Sequence, residues 1–250
     1  MILHHAVEGA GRPLLLLHPV GIDLTFLAPL AALLARRYRV MRMDLRGHGA
    51  SPLMPLAHDL GDFADDVHET LLHTGFGPCA VAGFSFGGMV AQTLALRHAG
   101  DVAALIACAG PCTQTPEGRL VAAARGTDAL ERGMGAVLEA AMDRWFTPAF
   151  RASGAAAAAE KHLRERDPRG WAQGWKAIAA IDTLPHLARV AVPTLGIAGE
   201  LDKSSPPHIV KMIADAVPGA RFAVIPGAPH MLFIEKPEAV AQAIEGFLGP

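Results

Sequence analysis

The chain is short of cysteine, with three in 250 residues, and none of Cys79, Cys108 and Cys112 stands at CxxC spacing. Three thiols do not complete a disulfide set, so they read as small buried hydrophobes in a reducing, cytoplasmic setting. Charge of either sign is scarce too: 18% of residues are charged and the net charge is −2. No cluster of Lys and Arg goes beyond the pair Arg36-Arg37, which argues against a nucleic-acid partner. Long apolar runs are missing as well. Leu14 to Leu17 is far too short to cross a bilayer, and no stretch approaches the roughly 18 residues a membrane helix needs. The start, Met1-Ile2-Leu3-His4-His5, has no basic region before a long apolar core, so a secretory signal is not expected.

What remains is a chain about half apolar (51%), enough to bury a sizeable core in one large domain. Short apolar runs alternate with helical patterns, the signature of a mostly parallel sheet with helices on both faces. Pro13 to His18 is too apolar for a half-exposed strand and is expected centrally. A helix follows Asp23 as its N-cap, with Leu24, Leu27, Leu30 or Ala31, and Leu34 at helical spacing. Further strands are expected over Tyr38 to Asp44, Cys79 to Phe84, Val102 to Ala109, Thr194 to Glu200 and Arg221 to Ile225. Helices are expected from Asp59, over Phe86 to His98, from about Pro206 to Val217 and from Pro237 to Leu248, with Pro206 and Pro237 suited to first turns. The helix after Asp59 buries Leu60, Phe63, Val67 and Leu71. Its acids Asp59, Asp62, Asp65, Asp66 and Glu69 read as a solvated face near the positive end of the helix dipole.

The pattern changes at Pro111. Up to about Arg189 no strand-like run occurs, and all three tryptophans (Trp145, Trp171, Trp175) fall here. The segment 111–189 reads as a helical cap inserted into a core made of residues 1–110 and 190–250.

Gly83-Phe84-Ser85-Phe86-Gly87 follows a buried strand and opens a helix. A serine on so sharp a turn is held exposed and strained, and a bulky residue two places before or after it would collide; hence the glycines. With 26 glycines and five serines, chance supplies this G-x-S-x-G pattern only about 0.05 times per chain. A serine hydroxyl needs a base to become a nucleophile. Of the twelve histidines, His230 follows a late strand through the turn Pro226-Gly227-Ala228-Pro229, at the edge where loops of a parallel sheet converge. His68, His73 and His98 lie on helices, and His4 and His5 near the N-terminus. A carboxylate must hold the imidazole in its working tautomer; Asp202, just past a strand end, is the choice over Glu200. The chain order Ser, Asp, His fits the elbow motif. The oxyanion of an acyl-transfer intermediate needs backbone N–H donors. Phe86 offers one, and Val20 in His18-Pro19-Val20-Gly21 the other, since Pro19 has no N–H.

With those residues placed, the whole chain resembles the α/β-hydrolase superfamily, and within it the 3-oxoadipate enol-lactonase branch. The resemblance rests on Gly21-Ile22-Asp23, the block from Asp44 to Ser51, the elbow with Gly88, Arg144-Trp145-Phe146-Thr147, Gly170 to Asp182, and the Asp202 and His230 segments. It implies a serine-dependent hydrolase of a small-molecule ester or lactone. It also implies that Arg144, beside Trp145, grips a substrate carboxylate, with Lys203 a weaker candidate. The chain departs from the branch with His18-Pro19 for Asn-Ser, Phe84 and Phe86 for Leu and Met, and Trp175 for a smaller residue, which points to a more aromatic pocket. No metal or cofactor is expected, because no ligand-spaced His/Cys/Asp set or phosphate-cradling loop is seen. The alternatives are a carboxylesterase, thioesterase, acyltransferase or carbon–carbon bond hydrolase on the same scaffold, or a ligand-binding homologue without catalysis. Haloalkane or epoxide chemistry would need a carboxylate where Ser85 stands.

Overall fold

The computed structural model describes residues 1–54 and 59–249. Its centre is a seven-stranded sheet in the order β1-β3-β2-β4-β5-β6-β7. The strands are β1 (His5–Glu8), β2 (Arg12–Leu17), β3 (Tyr38–Met43), β4 (Cys79–Phe84), β5 (Val102–Cys108), β6 (Thr194–Gly199) and β7 (Arg221–Ile225). Every pairing is parallel except that of β1 with β3. Every residue of β4 and β6 is buried, whereas in β7 at the edge only Ile225 is. Full burial of successive side chains, which point to opposite faces, requires cover on both sides of the sheet.

The helices supply it: α1 (Ala28–Leu34), α2 (Leu60–Thr74), α3 (Phe86–Arg97), α4 (Pro116–Arg132), α5 (Gly135–Trp145), α6 (Pro148–Ala152), α7 (Ala157–Arg164), α8 (Pro168–Ala179), α9 (Pro207–Ala216), α10 (Leu232–Glu235) and α11 (Pro237–Leu248). Against the sheet, α1 packs with α11 and α2 with α3. From β2 the chain steps outward to β3, then crosses back over β2 to β4. The carboxyl ends of β2 and β4 therefore flank a reversal of strand order, where open α/β sheets leave a crevice. Between β5 and β6 lie α4 to α8, and the one pairing there among the described residues is an isolated bridge, Thr113 to Asp182.

Several local expectations are corrected. β1 is an antiparallel edge strand that gave no readable pattern: four residues starting with a histidine. The segment capped by Asp23 begins as a 3₁₀ turn over Leu24–Leu27 and becomes α-helical at Ala28, before Pro29. Pro206 occupies the N-cap of α9, and Pro207 takes the first helical position. The acids of α2 do not form one solvated face. Asp59 caps the helix in a reciprocal box with Asp62, but Asp66 is buried and accepts from Nε of Arg46 at 2.6 Å. A carboxylate so enclosed needs a cation and Arg46 brings one, held in turn over the ring of Phe63 at 5.8 Å.

Candidate active site

β4 runs into α3 with a single residue, Ser85, between them, at φ 51° and ψ −112°. Few non-glycine residues adopt such a conformation, and its cost is on the order of 1–3 kcal/mol. The surroundings over-determine it. The Ser85 N–H donates to Cys108 O at 2.7 Å, and Ser85 O accepts from Met89 N at 3.1 Å. A Cβ on Gly83 would sit 2.1 Å from Gly87 O, and one on Gly87 would sit 2.3 Å from Leu17 O. Both glycines are there because backbone passes where a side chain would stand.

Two further loops reach Ser85. Nε2 of His230 lies 3.0 Å from Ser85 Oγ, and Nδ1 lies 2.9 Å from Asp202 Oδ2. The other carboxylate oxygen of Asp202 accepts from Ser204 N at 2.7 Å and Ser205 N at 2.9 Å. All three residues are buried. Since Asp202 accepts, Nδ1 carries the proton and the Nε2 lone pair faces the hydroxyl. Glu200 is elsewhere: exposed, it accepts from Gly227 N at 2.7 Å and braces the turn that leads to His230.

Val20 follows β2 and Phe86 opens α3. Among the described residues neither N–H has a backbone acceptor. The loop holding Val20 is set by His18. Leu45 N–H donates to His18 Nε2 at 2.9 Å, so Nδ1 bears the proton and donates to Pro19 O at 2.7 Å. Burial keeps this imidazole below its ordinary pKa. The insertion presses on the same loop: a Cβ on Gly174 would meet Val20 Cγ2 at 2.7 Å, and one on Gly21 would meet the Trp171 ring at 2.5 Å.

A cavity of about 360 Å³ opens above Ser85 and His230. The insertion walls it with Arg125, Arg144, Trp145, Trp175 and Ile178, and Met212 of α9 closes the far side. Arg144 and Trp145 thus reach the place the resemblance implied. Lys203 does not: it is exposed and paired with Asp143 at 2.9 Å. Nor do the two elbow phenylalanines. Phe84 packs on Phe233 (4.7 Å between ring centres) and Phe86 on Phe63 (4.9 Å), both fully buried beneath the site. Of the three aromatic departures from the lactonase pattern, Trp175 alone lines the cavity. Arg125 lines it without having been anticipated. Its guanidinium sits 4.6 Å over the Trp175 ring, and burial, with Arg144 nearby, pulls it down to about 10. One arginine among many on a helix with a weak apolar stripe offers no sequence signal.

The insertion is also tied to the loop bearing His230. Met231 N donates to Trp145 O at 3.0 Å. Thr147 donates to Glu235 through both its N–H (2.7 Å) and its hydroxyl (2.9 Å). The block from Asp44 to Ser51 braces the floor: buried Asp44 accepts from Leu24 N (2.8 Å), Ala50 N (2.9 Å) and His4 Nδ1 (2.7 Å). Away from the site, His68, His98 and Asp101 lie together, a grouping the linear spacing hid. The two imidazoles stack at 3.9 Å and 6°, so their in-plane lone pairs lie in parallel planes rather than converging on one point.

A strained serine at a strand–helix corner of a parallel sheet, backed by histidine and aspartate from later loops, defines a hydrolase-type site. The model of the alpha/beta hydrolase family matches residues 14–243, and the chain belongs to that family. Its relatives include 3-oxoadipate enol-lactonase 2 of Acinetobacter baylyi, 28% identical over 98% of this chain and 92% of that one. Another is the pimeloyl-[acyl-carrier protein] methyl ester esterase of Aeromonas hydrophila, 29% identical over 96% of this chain and 97% of that one. The crystal structure of an enol-lactonase from Burkholderia xenovorans superposes with a TM-score of 0.92 at 30% identity, covering 98% of this chain and 96% of that one. No helix among the described residues is long and apolar enough to cross a membrane.

Proposed function

We propose that this chain hydrolyses a small-molecule ester or lactone through an acyl-enzyme on Ser85. The observation that carries the reading is the buried relay Ser85 Oγ–His230–Asp202, at 3.0 and 2.9 Å, at the base of a cavity sized for a small substrate. His230 Nε2 takes the Ser85 proton as Oγ attacks the carbonyl carbon. The N–H groups of Val20 and Phe86 receive the oxyanion. His230 returns the proton to the departing oxygen, which leaves as an alcohol or, from a lactone, stays attached as the far end of the acyl chain. Water then gives its proton to His230, attacks the acyl carbon and frees the acid and Ser85. Asp202 keeps Nδ1 protonated and steadies the imidazolium of both halves.

The insertion 111–189 serves in this reading as a cap that shapes the acyl pocket, and Arg144 offers a cation to a substrate carboxylate. The names of the relatives, a lactonase and a methyl ester esterase, fall within ester and lactone chemistry. The three buried, unpaired cysteines are consistent with the cytoplasm.

Reaction with a fluorophosphonate, followed by intact mass and peptide mapping, tests the relay. Labelling at Ser85, strongly slowed in His230→Ala, is expected; a folded wild type that takes no label would sink the reading and favour a ligand-binding homologue. A matched panel of ester, thioester, lactone and β-diketone then separates lactonase and esterase from the other enzymes of this scaffold.

A further inference from the structure

We propose that the hydroxyl of Ser205, buried beside the relay and lining the cavity, holds an uncharged oxygen of the substrate within a few bonds of the scissile carbonyl. The proposal rests on the hydrolase reading for the place of that carbonyl. It adds a specificity-determining residue and a substrate class: esters or lactones with a hydroxyl, ether or keto oxygen close to the reacting group.

Ser205 lines the same cavity as Ser85 and His230, with only 3% of its surface exposed. Its backbone is pinned, because its N–H donates to Asp202 Oδ1 at 2.9 Å. From Asp202 the contacts run on to His230 at 2.9 Å and from there to Ser85 at 3.0 Å. Ser205 therefore stands a short, fixed distance from the reacting atoms. Its hydroxyl, by contrast, has no hydrogen-bond partner among the described residues. A serine just ahead of a helix ordinarily caps it through the side-chain oxygen. That duty is absent here: Pro206 is the N-cap of α9, Pro207 is its first residue, and no side chain caps the helix. Neither proline has an N–H to offer the serine.

A buried hydroxyl without a partner disfavours the empty site, and a ligand oxygen in the cavity removes that penalty. The neighbourhood chooses the charge of that oxygen. An anionic substituent would lie close to Asp202, the carboxylate of the relay, and be repelled. A cationic one would compete with the imidazolium of His230 for the same carboxylate. Ile209 and Met212, which follow Ser205 along the cavity wall, offer only apolar surface. An uncharged oxygen accepts from the hydroxyl and leaves the electrostatics of the relay as they are. One serine thus faces two ways, its N–H to the acid and its hydroxyl to the ligand.

The test uses pairs of esters in which an ether oxygen replaces one methylene. On the acyl side these are the p-nitrophenyl esters of methoxyacetate and butanoate, of 3-methoxypropanoate and pentanoate, and of 4-methoxybutanoate and hexanoate. On the alcohol side, 2-methoxyethyl butanoate is compared with butyl butanoate by acid release. The ratio of kcat/KM within each pair is measured for wild type and Ser205→Ala, so that the intrinsic reactivity of the esters cancels. In at least one pair the ratio of ether to hydrocarbon should fall about fivefold or more in the variant, chiefly through KM of the ether. Ser205→Thr, which keeps the hydroxyl, should restore most of it. Should Ser205→Ala fail to fold, Ser205→Cys, close in shape and a weak donor, gives the same readout. Unchanged ratios in every pair overturn the subsite and leave the hydrolase reading intact. Equal losses on ether and hydrocarbon, in variants that melt like wild type, also overturn it and assign the hydroxyl to the relay. If no ester turns over and no fluorophosphonate label appears, the hydrolase reading falls and the subsite with it.

Discussion

The backbone N–H of Leu45 donates to Nε2 of His18, and this one contact fixes the tautomer of a fully buried imidazole. The proton must sit on Nδ1, where it donates to Pro19 O and sets the peptide that leads into Val20. His18→Ala should therefore loosen the loop that presents Val20, the proposed oxyanion donor. We expect kcat to fall about 10- to 100-fold on acid and neutral esters alike, with KM little changed. A loss confined to KM, or to one substrate, would show that His18 acts elsewhere.

Asp202→Asn should leave the fold intact and lower kcat by about 10³-fold or more, because an amide no longer enforces the Nδ1–H tautomer of His230. Glu200→Gln is its control. Among the described residues that side chain accepts from Gly227 N alone, outside the relay, so activity should stay within about twofold and stability should drop by at most about 1 kcal/mol. A large kinetic loss in the glutamine variant, with Asp202→Asn active, would reverse the assignment of the acid.

Ser85 carries backbone strain at φ 51°. Ser85→Gly should abolish esterase activity while raising Tm by about 2–4 °C, as expected for about 1 kcal/mol in a chain of this size. Differential scanning calorimetry reads it. A lower Tm would mean that the Ser85 hydroxyl stabilises the fold by more than the strained backbone costs.

Stability should fall with acid from about pH 6.5 downward. His18, His48 and His162 are all held below their ordinary pKa, first of all by burial. Below the unfolded value of about 6.5 the unfolded chain takes up protons that the folded chain refuses, so stability is complete above that pH and is lost on descending toward the folded values. Each histidine contributes a slope of up to about 1.4 kcal/mol per pH unit in that window. His48, whose buried Nε2 has no hydrogen-bond partner among the described residues, is the one to replace: His48→Gln should flatten the slope in urea titrations at pH 7.5 and 5.5. An unchanged slope would assign the acid sensitivity to other groups.

Glu235→Ala removes both acceptors of Thr147. Amides around 146–150 should then exchange with deuterium markedly faster, and kcat/KM should fall several-fold on every ester, whatever its charge. Exchange confined to residues near 235, with 146–150 still protected, would mean that Met231 N–Trp145 O alone anchors the cap.

The elements that could be read in the chain are those where one physical demand dominates. β4 and β6 are apolar throughout because both their faces are covered, and the elbow glycines announce backbone closer than a Cβ permits. β1 was illegible because an exposed edge strand asks little of its side chains. Asp66 misled because helical position tells which way a residue faces, while Arg46, which meets it there, comes from a loop twenty residues earlier. Phe84 and Phe86 flank Ser85 in sequence yet point beneath it, toward Phe233 and Phe63. Proximity along a sharp turn does not give direction. Arg125 could not be singled out at all: it matters because α4 folds over the site, a long-range fact.

The bonds from Trp145 and Thr147 to the segment just after His230 have a consequence for traffic. A door cannot open along the edge that bears its hinge. Lifting the insertion there would drag on Met231, one residue from the imidazole, and disturb its 3.0 Å contact with Ser85. Val121 of α4 lines the cavity and is exposed, so reactants that pass beside it would leave those bonds untouched. Bulk added there would slow passage while leaving the reacting groups as they are.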